Sequence, residues 1–294
     1  MLFDSDRYLI INADDFGANE PTNRAIGELF SAGLITSASM LTVAESSDSA
    51  CSVAASLNLP VGVHLTLNSD SAEKPWVSNS GAASLGGAKG LWHEQKKLAL
   101  KAKSKDVTLE LEAQYSFMLE RGIRPDHADS HSGTLYGING RLFFFNAFKF
   151  CQKYSLPFRF PRRPDFLERQ LGRKVPFIVN FLHSAIVGVA DKYKVLLPND
   201  IISNPHSIKK IQTYENLRKY YIDEIKNLKQ GISEIFLHPS YSLETDTSAE
   251  NEWLKREYEL RLLQSGDLLE EAKRLNICLC SWSDAPFDKS LKSH

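Results

Sequence analysis

The side chains with the widest chemical reach in this sequence are aspartates and histidines that fall where short apolar runs end. Asp14 and Asp15 follow Leu9-Ile10-Ile11-Asn12-Ala13, and His64 lies within Val61-Gly62-Val63-His64-Leu65. His127, Asp129 and His131 alternate after Pro125-Asp126, and His238 follows Ile235-Phe236-Leu237. Two imidazoles and one carboxylate suit a divalent cation and leave coordination positions open for water and a substrate oxygen. An ion held in this way polarises a carbonyl and acidifies water, to a pKa of about 7 when it is zinc. A carboxylate and an imidazole left over beside it can take and return protons.

Each motif also has a plainer explanation. Asp14-Asp15-Phe16-Gly17 could split its two carboxylates between metal and water, since neighbours on an extended backbone point opposite ways, or could be a pair of turn-forming aspartates. His64, between two apolar residues, could be an ordinary strand histidine. In His127-Ala128-Asp129-Ser130-His131 the three ionisable groups would share one side of an extended chain, and burying them together requires a cation or mutual hydrogen bonds. His238-Pro239 reads equally as a strand terminus.

The elements that must position these residues alternate between short apolar runs and longer helical patterns, the mark of βαβ units on a parallel sheet. Strands are expected at Tyr8 to Ala13, Ile35 to Val43, Val61 to Leu67, near His127, at Phe158 to Phe160, Val195 to Leu197, Ile235 to Leu237 and Ile277 to Trp282. Helices are expected from near Pro21 to Gly33, with Asn19 as a cap candidate, and at Ser46 to Leu57, Val107 to Arg121, Leu142 to Tyr154 and Phe177 to Val189. Further helices are expected at Ile208 to Leu228, Trp253 to Leu263 and Leu268 to Leu275. The Gly- and Ser-rich stretch 68–90, with Trp76 and Gly86-Gly87, reads as a long, flexible surface loop. Such a pattern predicts an α/β fold, a distorted (β/α) barrel in one domain over 1–294. Polar residues at the carboxyl ends of its strands then share a pocket.

Composition narrows the partners. The chain has 294 residues, 43% of them hydrophobic, and its 35 Lys and Arg nearly cancel 36 Asp and Glu. The strongly positive field that nucleic acids or anionic membranes require is absent. Cys51, Cys151, Cys278 and Cys280 form no CxxC pair, so neither a structural zinc site nor a disulfide framework is indicated, and Cys278 and Cys280 are expected as buried thiols on one strand face. The N-terminus carries acidic residues where a secretory signal would be basic, and its apolar run is too short to span a bilayer. A cytoplasmic protein is the expectation, with no nucleic-acid or membrane partner and with homo-oligomer formation left open.

With these residues assembled, the chain resembles the YdjC-like carbohydrate deacetylases, which include chito-oligosaccharide deacetylases and hopanoid-associated members. The resemblance runs in order through Asn12-Ala13-Asp14-Asp15-Phe16-Gly17, Gly33-Leu34-Ile35-Thr36-Ser37-Ala38-Ser39, Val61 to Leu67, Asp129-Ser130-His131 and His238-Pro239, and ends with Arg256, Glu259, Leu260 and Leu263. It implies a barrel of the glycoside hydrolase and deacetylase type, and hydrolysis of the acetamido group of an N-acetylated amino sugar. By the same resemblance, Asp15, His64 and His131 would hold one divalent ion, Mg²⁺ or Zn²⁺, with ligand type favouring zinc. Asp14 would be the general base and His238 the acid that protonates the departing amine. Gly133 and Leu135 stand where many members carry further histidines. The metal set is thus retained while the sugar-lining groups differ, as in a divergent subgroup.

Arg159, Asp129, His127 and Trp76 are candidates for touching the substrate. Arg159, within an aromatic run, would orient substrate or Asp14, or else form a core ion pair. Trp76 could stack on a sugar ring or anchor its loop. Asp200 is a further pocket candidate, whereas His93, His183, His206 and His294 read as surface or packing residues. Two rival functions use the same residues: metal-dependent hydrolysis of another bond, such as a phosphoester, and sugar binding without catalysis.

Overall fold

The computed structural model of the chain describes residues 6–137, 139–242 and 250–287, with side chains from Trp253 onward in the last of these segments. His294 lies outside the described residues. The strands are β1 (Arg7–Phe16), β2 (Ser37–Met40), β3 (Val61–Leu65), β4 (Ala128–Ser130), β5 (Asp200–Ile202), β6 (Gly231–Leu237) and β7 (Cys278–Leu279). The helices are α1 (Glu20–Ser31), α2 (Ser47–Leu57), α3 (Gln95–Lys101), α4 (Ser104–Glu120), α5 (Phe144–Tyr154) and α6 (Asp165–Leu171), then α7 (Phe177–Lys192), α8 (Ile208–Ile211), α9 (Tyr214–Lys226), α10 (Glu250–Gln264) and α11 (Asp267–Arg274).

All strand pairs are parallel, in the order β4-β3-β2-β1-β6-β5, with β7 beside the first half of β1. Segment 157–159 continues the sheet past β4. Ala128 N donates to Pro157 O and Arg159 N to Ala128 O, while Phe158 N donates to Leu196 O in the run that leads into β5. Backbone hydrogen bonds therefore pass from β4 through a single bridge at Phe158 to β5 and β6, which curls the sheet into the distorted α/β barrel. The predicted strand at Phe158 to Phe160 shrinks to that bridge because Pro157 and Pro161 withhold donors on either side.

Local chemistry explains the element ends. Asn19 caps α1, its Oδ1 accepting from Thr22 N at 2.9 Å, and Pro21 sits in the first turn. Gly62 lets β3 pass His127, since a Cβ there would lie 2.3 Å from the imidazole. The expected helix from Ile208 to Leu228 is two helices, broken at Gln212, whose φ of 66° does not fit a helix. Helices α3 and α6 lie outside the expected elements; both are short, and they bury only Leu98 in α3 and no residue in α6. The thiols of Cys278 and Cys280 are partly exposed rather than buried, because the last strand is only two residues long.

Stretch 68–90 is tied to α4 by the fully buried Glu110. Its carboxylate accepts from Ser78 Oγ (2.5 Å), Asn79 N (3.0 Å), Ser80 N (2.9 Å), Ser80 Oγ (2.6 Å) and Gln114 Nε2 (2.8 Å). Removing it strands buried donors, and each such donor costs about 1–3 kcal/mol. Glu110→Ala should therefore lower unfolding free energy by about 2–4 kcal/mol. In limited proteolysis the new cuts should fall between Asn68 and Gly90; cuts elsewhere, or an unchanged denaturation midpoint, would refute this anchoring role.

Candidate metal centre

The candidate residues cluster at the carboxyl ends of the strands. β1 ends in a bulge at which the register with β2 shifts between Ala13 and Phe16, and Asp15 takes a φ of 65°. This left-handed residue turns the second carboxylate towards the same pocket as the first, instead of away from it. Gly17 completes the turn at φ 101°, where a Cβ would sit 2.6 Å from Leu41 O.

Asp15, His64 and His131 converge. Asp15 Oδ1 lies 3.5 Å from His64 Nε2 and 3.5 Å from His131 Nδ1, and the two nitrogens are 3.3 Å apart. Donors about 2.1 Å from one tetrahedral ion would be roughly 3.4 Å from each other. All three residues are buried, and Asp15 Oδ1 has no hydrogen-bond partner. A buried carboxylate oxygen without a donor is costly, and a cation at the centre of the triangle satisfies it. The residues therefore fit a divalent ion.

The outer nitrogens of both imidazoles are backed by carboxylates. His64 Nδ1 donates to Asp129 Oδ1 at 2.7 Å, and His131 Nε2 to Asp70 Oδ1 at 2.8 Å. Each bond fixes the tautomer that turns the other nitrogen into the triangle. Burial favours a neutral His131 ring, but Asp70 and Asp15 outweigh it and push its pKa up to about 10. Burial likewise opposes ionisation of Asp15, yet the Arg256 guanidinium and His131 hold its carboxyl well below the usual range. Arg256 reaches Asp15 Oδ2 at 2.6 Å, leaving Oδ1 for the ion.

Beneath the triangle, Arg159 is buried among carboxylates. Its Nη1 and Nη2 grip Asp14 at 2.6 and 2.8 Å, Nη1 reaches Asp129 Oδ2 at 2.9 Å, and Nε and Nη2 bind Glu234 at 2.8 Å each. Asn12 Nδ2 (2.8 Å) and Ser39 Oγ (3.2 Å) also donate to Asp14 Oδ1. Asp14 Oδ2 faces His238 Nε2 at 3.9 Å. The backbone N of His238 donates to Glu259 Oε2 at 2.7 Å, and its Nδ1 lies 3.7 Å from the same oxygen. Burial opposes protonation of the His238 ring, but Glu259, Asp15 and Asp14 together raise its pKa above the ordinary value.

Of the residues expected from sequence, Asp14, Asp15, His64, His131 and His238 come together, with the Trp76 ring 5.2 Å from that of His131 at the rim. Arg159 holds Asp14 and is itself buried, which leaves it the ion-pair role and not substrate contact. His127 and Asp129 are corrections, since both are completely buried and cannot touch a sugar. His127 stacks on Trp282 at 4.6 Å one layer deeper in the barrel, and Asp129 is occupied by His64 and Arg159. Asp200 pairs with Arg169 at the start of β5, at the end of the barrel away from the pocket. His183 is a packing residue bonded to Pro161 O, and Leu135 belongs to the core. Sequence reasoning gave no role to Asp70, Glu234, Arg256 or Glu259. The lone acid in the apolar run Gly231 to Leu237 was a usable signal for Glu234, as was the three-residue spacing of Arg256 and Glu259, which puts them on one helix face.

Comparison with known proteins agrees with this architecture. The family model described as YdjC-like protein matches residues 8–274. This chain belongs to that family. A carbohydrate deacetylase of Thermoanaerobacter pseudethanolicus is 25% identical over 280 residues, covering 94% of this chain and 98% of that protein. A carbohydrate deacetylase of Enterococcus faecalis is 35% identical over 180 residues, 58% of this chain and 67% of that one. A chitooligosaccharide deacetylase of Proteus mirabilis is 36% identical over 158 residues, 52% of this chain and 59% of that one. A solved structure from Enterococcus faecalis, provisionally described as a cellobiose-phosphate cleavage protein, superposes with a TM-score of 0.72 at 26% identity, covering 95% of this chain and 98% of that chain. No helix among the described residues is long and apolar enough to cross a membrane.

Calorimetric titration with zinc should show one strong site that is lost in Asp15→Ala, His64→Ala and His131→Ala. Asp129→Asn and Asp70→Asn should bind about 10- to 100-fold more weakly without losing the site. Unaltered affinity in both Asn variants would remove the carboxylate backing from the account.

Proposed function

We propose that this protein hydrolyses the N-acetyl group of an amino sugar or oligosaccharide. Asp15, His64 and His131 hold a divalent ion, Asp14 is the general base and His238 the general acid. The observation that carries this reading is the triangle of Asp15 Oδ1, His64 Nε2 and His131 Nδ1 beside an unligated Asp14 and His238 pair. The sugar substrate is supported by relatives that carry the names carbohydrate deacetylase and chitooligosaccharide deacetylase. Two imidazoles with one carboxylate favour zinc over magnesium.

When bound, the ion supplies Lewis-acid polarisation of the acetyl carbonyl and acidification of a water. Arg256 keeps Asp15 ionised and engages its second oxygen. Asp14 Oδ1 accepts from Asn12, Ser39 and Arg159 Nη2, whereas Oδ2 accepts from Arg159 Nη1 and faces His238, so Oδ2 takes the proton from the attacking water as the C–O bond forms. His238, kept protonated by Glu259 and the two aspartates, delivers its proton to the nitrogen as the C–N bond breaks. Acetate and the free amine leave, and one water is consumed. Trp76 at the rim offers an aromatic face for the sugar ring.

Acetate release from a panel of metal-loaded reactions with N-acetylated mono- and oligosaccharides tests the reaction class. Phosphate release from phosphoesters, with no acetate from any amide, would contradict it. His238→Asn should lower kcat by about 10²–10⁴-fold while zinc affinity persists. The rate should fall as pH rises through the elevated pKa of His238. Because the Glu259 carboxylate stabilises the imidazolium, Glu259→Gln should shift that alkaline limb to lower pH; a shift to higher pH would exclude this pairing.

A further inference from the structure

The chain is almost neutral overall, yet one stretch beside the candidate metal centre is strongly cationic. Lys89, Lys96, Lys97, Lys101, Lys103 and Lys105 fall within residues 89–105, against the single acid Glu94. All six lysines are exposed. Other surface lysines meet a carboxylate, as Lys74 meets Glu45, Lys153 meets Glu112 and Lys219 meets Asp223. Among the described residues, none of these six forms an ion pair. Unpaired like charges repel one another, and a run of them marks a surface suited to an anionic partner.

Topology puts this stretch at the same end of the barrel as the metal triangle. β3 ends at Leu65, and α4 carries the chain back to the start of β4, so the residues between β3 and α4 lie at the carboxyl end of the sheet. Hydrogen bonds fix them beside the site. His93 Nδ1 donates to Ser69 O at 3.0 Å, next to the Asp70 that backs His131. Gln95 Nε2 donates to Ser132 O at 3.1 Å, next to His131 itself. From Gln95, α3 runs about 10 Å to Lys101. There a recess is walled by Trp92, Lys101, Lys103, Lys105 and Asp106. Its one carboxylate, Asp106, is engaged by Ser84 Oγ at 2.6 Å. The Trp92 ring, anchored by Nε1 to Ser84 O at 3.0 Å, holds Lys97 Nζ 4.3 Å from its centroid.

We propose that this surface binds the far end of an acidic oligosaccharide in which N-acetylhexosamine alternates with hexuronic acid. The acetamido group to be hydrolysed then lies at the metal centre, so the proposal rests on the deacetylase reading and names its substrate class. Cations spread along α3 and past its end suit charges that repeat along a sugar chain, and a single anionic group would engage only a few of them. Each exposed ammonium–carboxylate contact contributes little, so affinity comes from several acting together. Nucleic acid also repeats its charge, but single strands use several stacking faces, whereas this recess has one aromatic ring and Lys97 already covers it.

Surface plasmon resonance tests the surface, with zinc-loaded protein tethered and oligosaccharides of equal length flowed over it. A hyaluronan tetrasaccharide should bind at least about tenfold more tightly than the neutral chitin tetrasaccharide, which carries acetamido groups but no carboxylate. Raising salt from about 0.1 to 1 M shortens the screening length from about 10 to 3 Å and should abolish the preference. The triple variant Lys101→Gln, Lys103→Gln, Lys105→Gln should lose it at low salt, whereas Lys101→Arg, Lys103→Arg, Lys105→Arg should keep it. Equal affinity for the two sugars, or a preference that survives in the glutamine variant, would overturn the proposal. Tighter binding of a single-stranded oligonucleotide, lost in the glutamine variant, would also overturn it and assign the surface to nucleic acid. Acetate release from both sugars is measured in parallel. Salt-sensitive binding of the acidic sugar with no acetate from either would support the surface and refute the deacetylase reading. Acetate from the chitin sugar with no acidic preference would do the reverse.

Discussion

A single buried guanidinium holds the centre of this barrel together. Arg159 is surrounded by Asp14, Asp129 and Glu234, all of them buried. Three carboxylates in a low-dielectric interior would repel one another and shed their charge by taking up protons, and the cation among them is what allows ionised groups to stand there. The arrangement is also directional. Asp14 is gripped through both oxygens, and Asp129 is held at Oδ2 so that Oδ1 is free to accept from His64. Barrel interiors are usually filled by layers of branched apolar side chains. Here one layer is polar, and the pocket rests on it.

From that layer the site is built outward by alternating charge. Arg159 fixes Asp129, Asp129 fixes the tautomer of His64, and His64 presents Nε2 to the point shared with Asp15 and His131. A second series comes from the helical side: Glu259 on α10 holds His238, and Arg256, almost one turn earlier, holds Asp15. The candidate ligands are thus oriented by residues on other elements, which is the preorganisation that a cation site and its proton-transfer groups require. Small displacements of α10 would move His238 and Asp15 together.

Much of this was legible in the sequence because it depends on local pattern. The alternation of apolar runs with helical stripes gave the α/β barrel, and polar residues at strand ends gave Asp14, Asp15, His64, His131 and His238 as neighbours. What the sequence concealed depends on geometry that no spacing encodes. The left-handed turn at Asp15 overrides the alternation that would send adjacent carboxylates apart. His127 and Asp129 share the inward face of β4 as alternation demands, but that face points into the packed barrel, so they became supports instead of substrate contacts. Asp70 lies in a loop with no periodicity to read, and Glu234 stood in plain view as the one acid of an apolar strand whose partner lies 75 residues away.

The proposed chemistry requires that Asp15, His64 and His131 share one ion. Crystals of the zinc-loaded protein, with anomalous diffraction measured on both sides of the zinc absorption edge, address this directly. One strong anomalous peak should appear about 2.0–2.2 Å from Asp15 Oδ1, His64 Nε2 and His131 Nδ1. A peak held by other residues, or none at this triangle in fully loaded crystals, would contradict the account at its foundation.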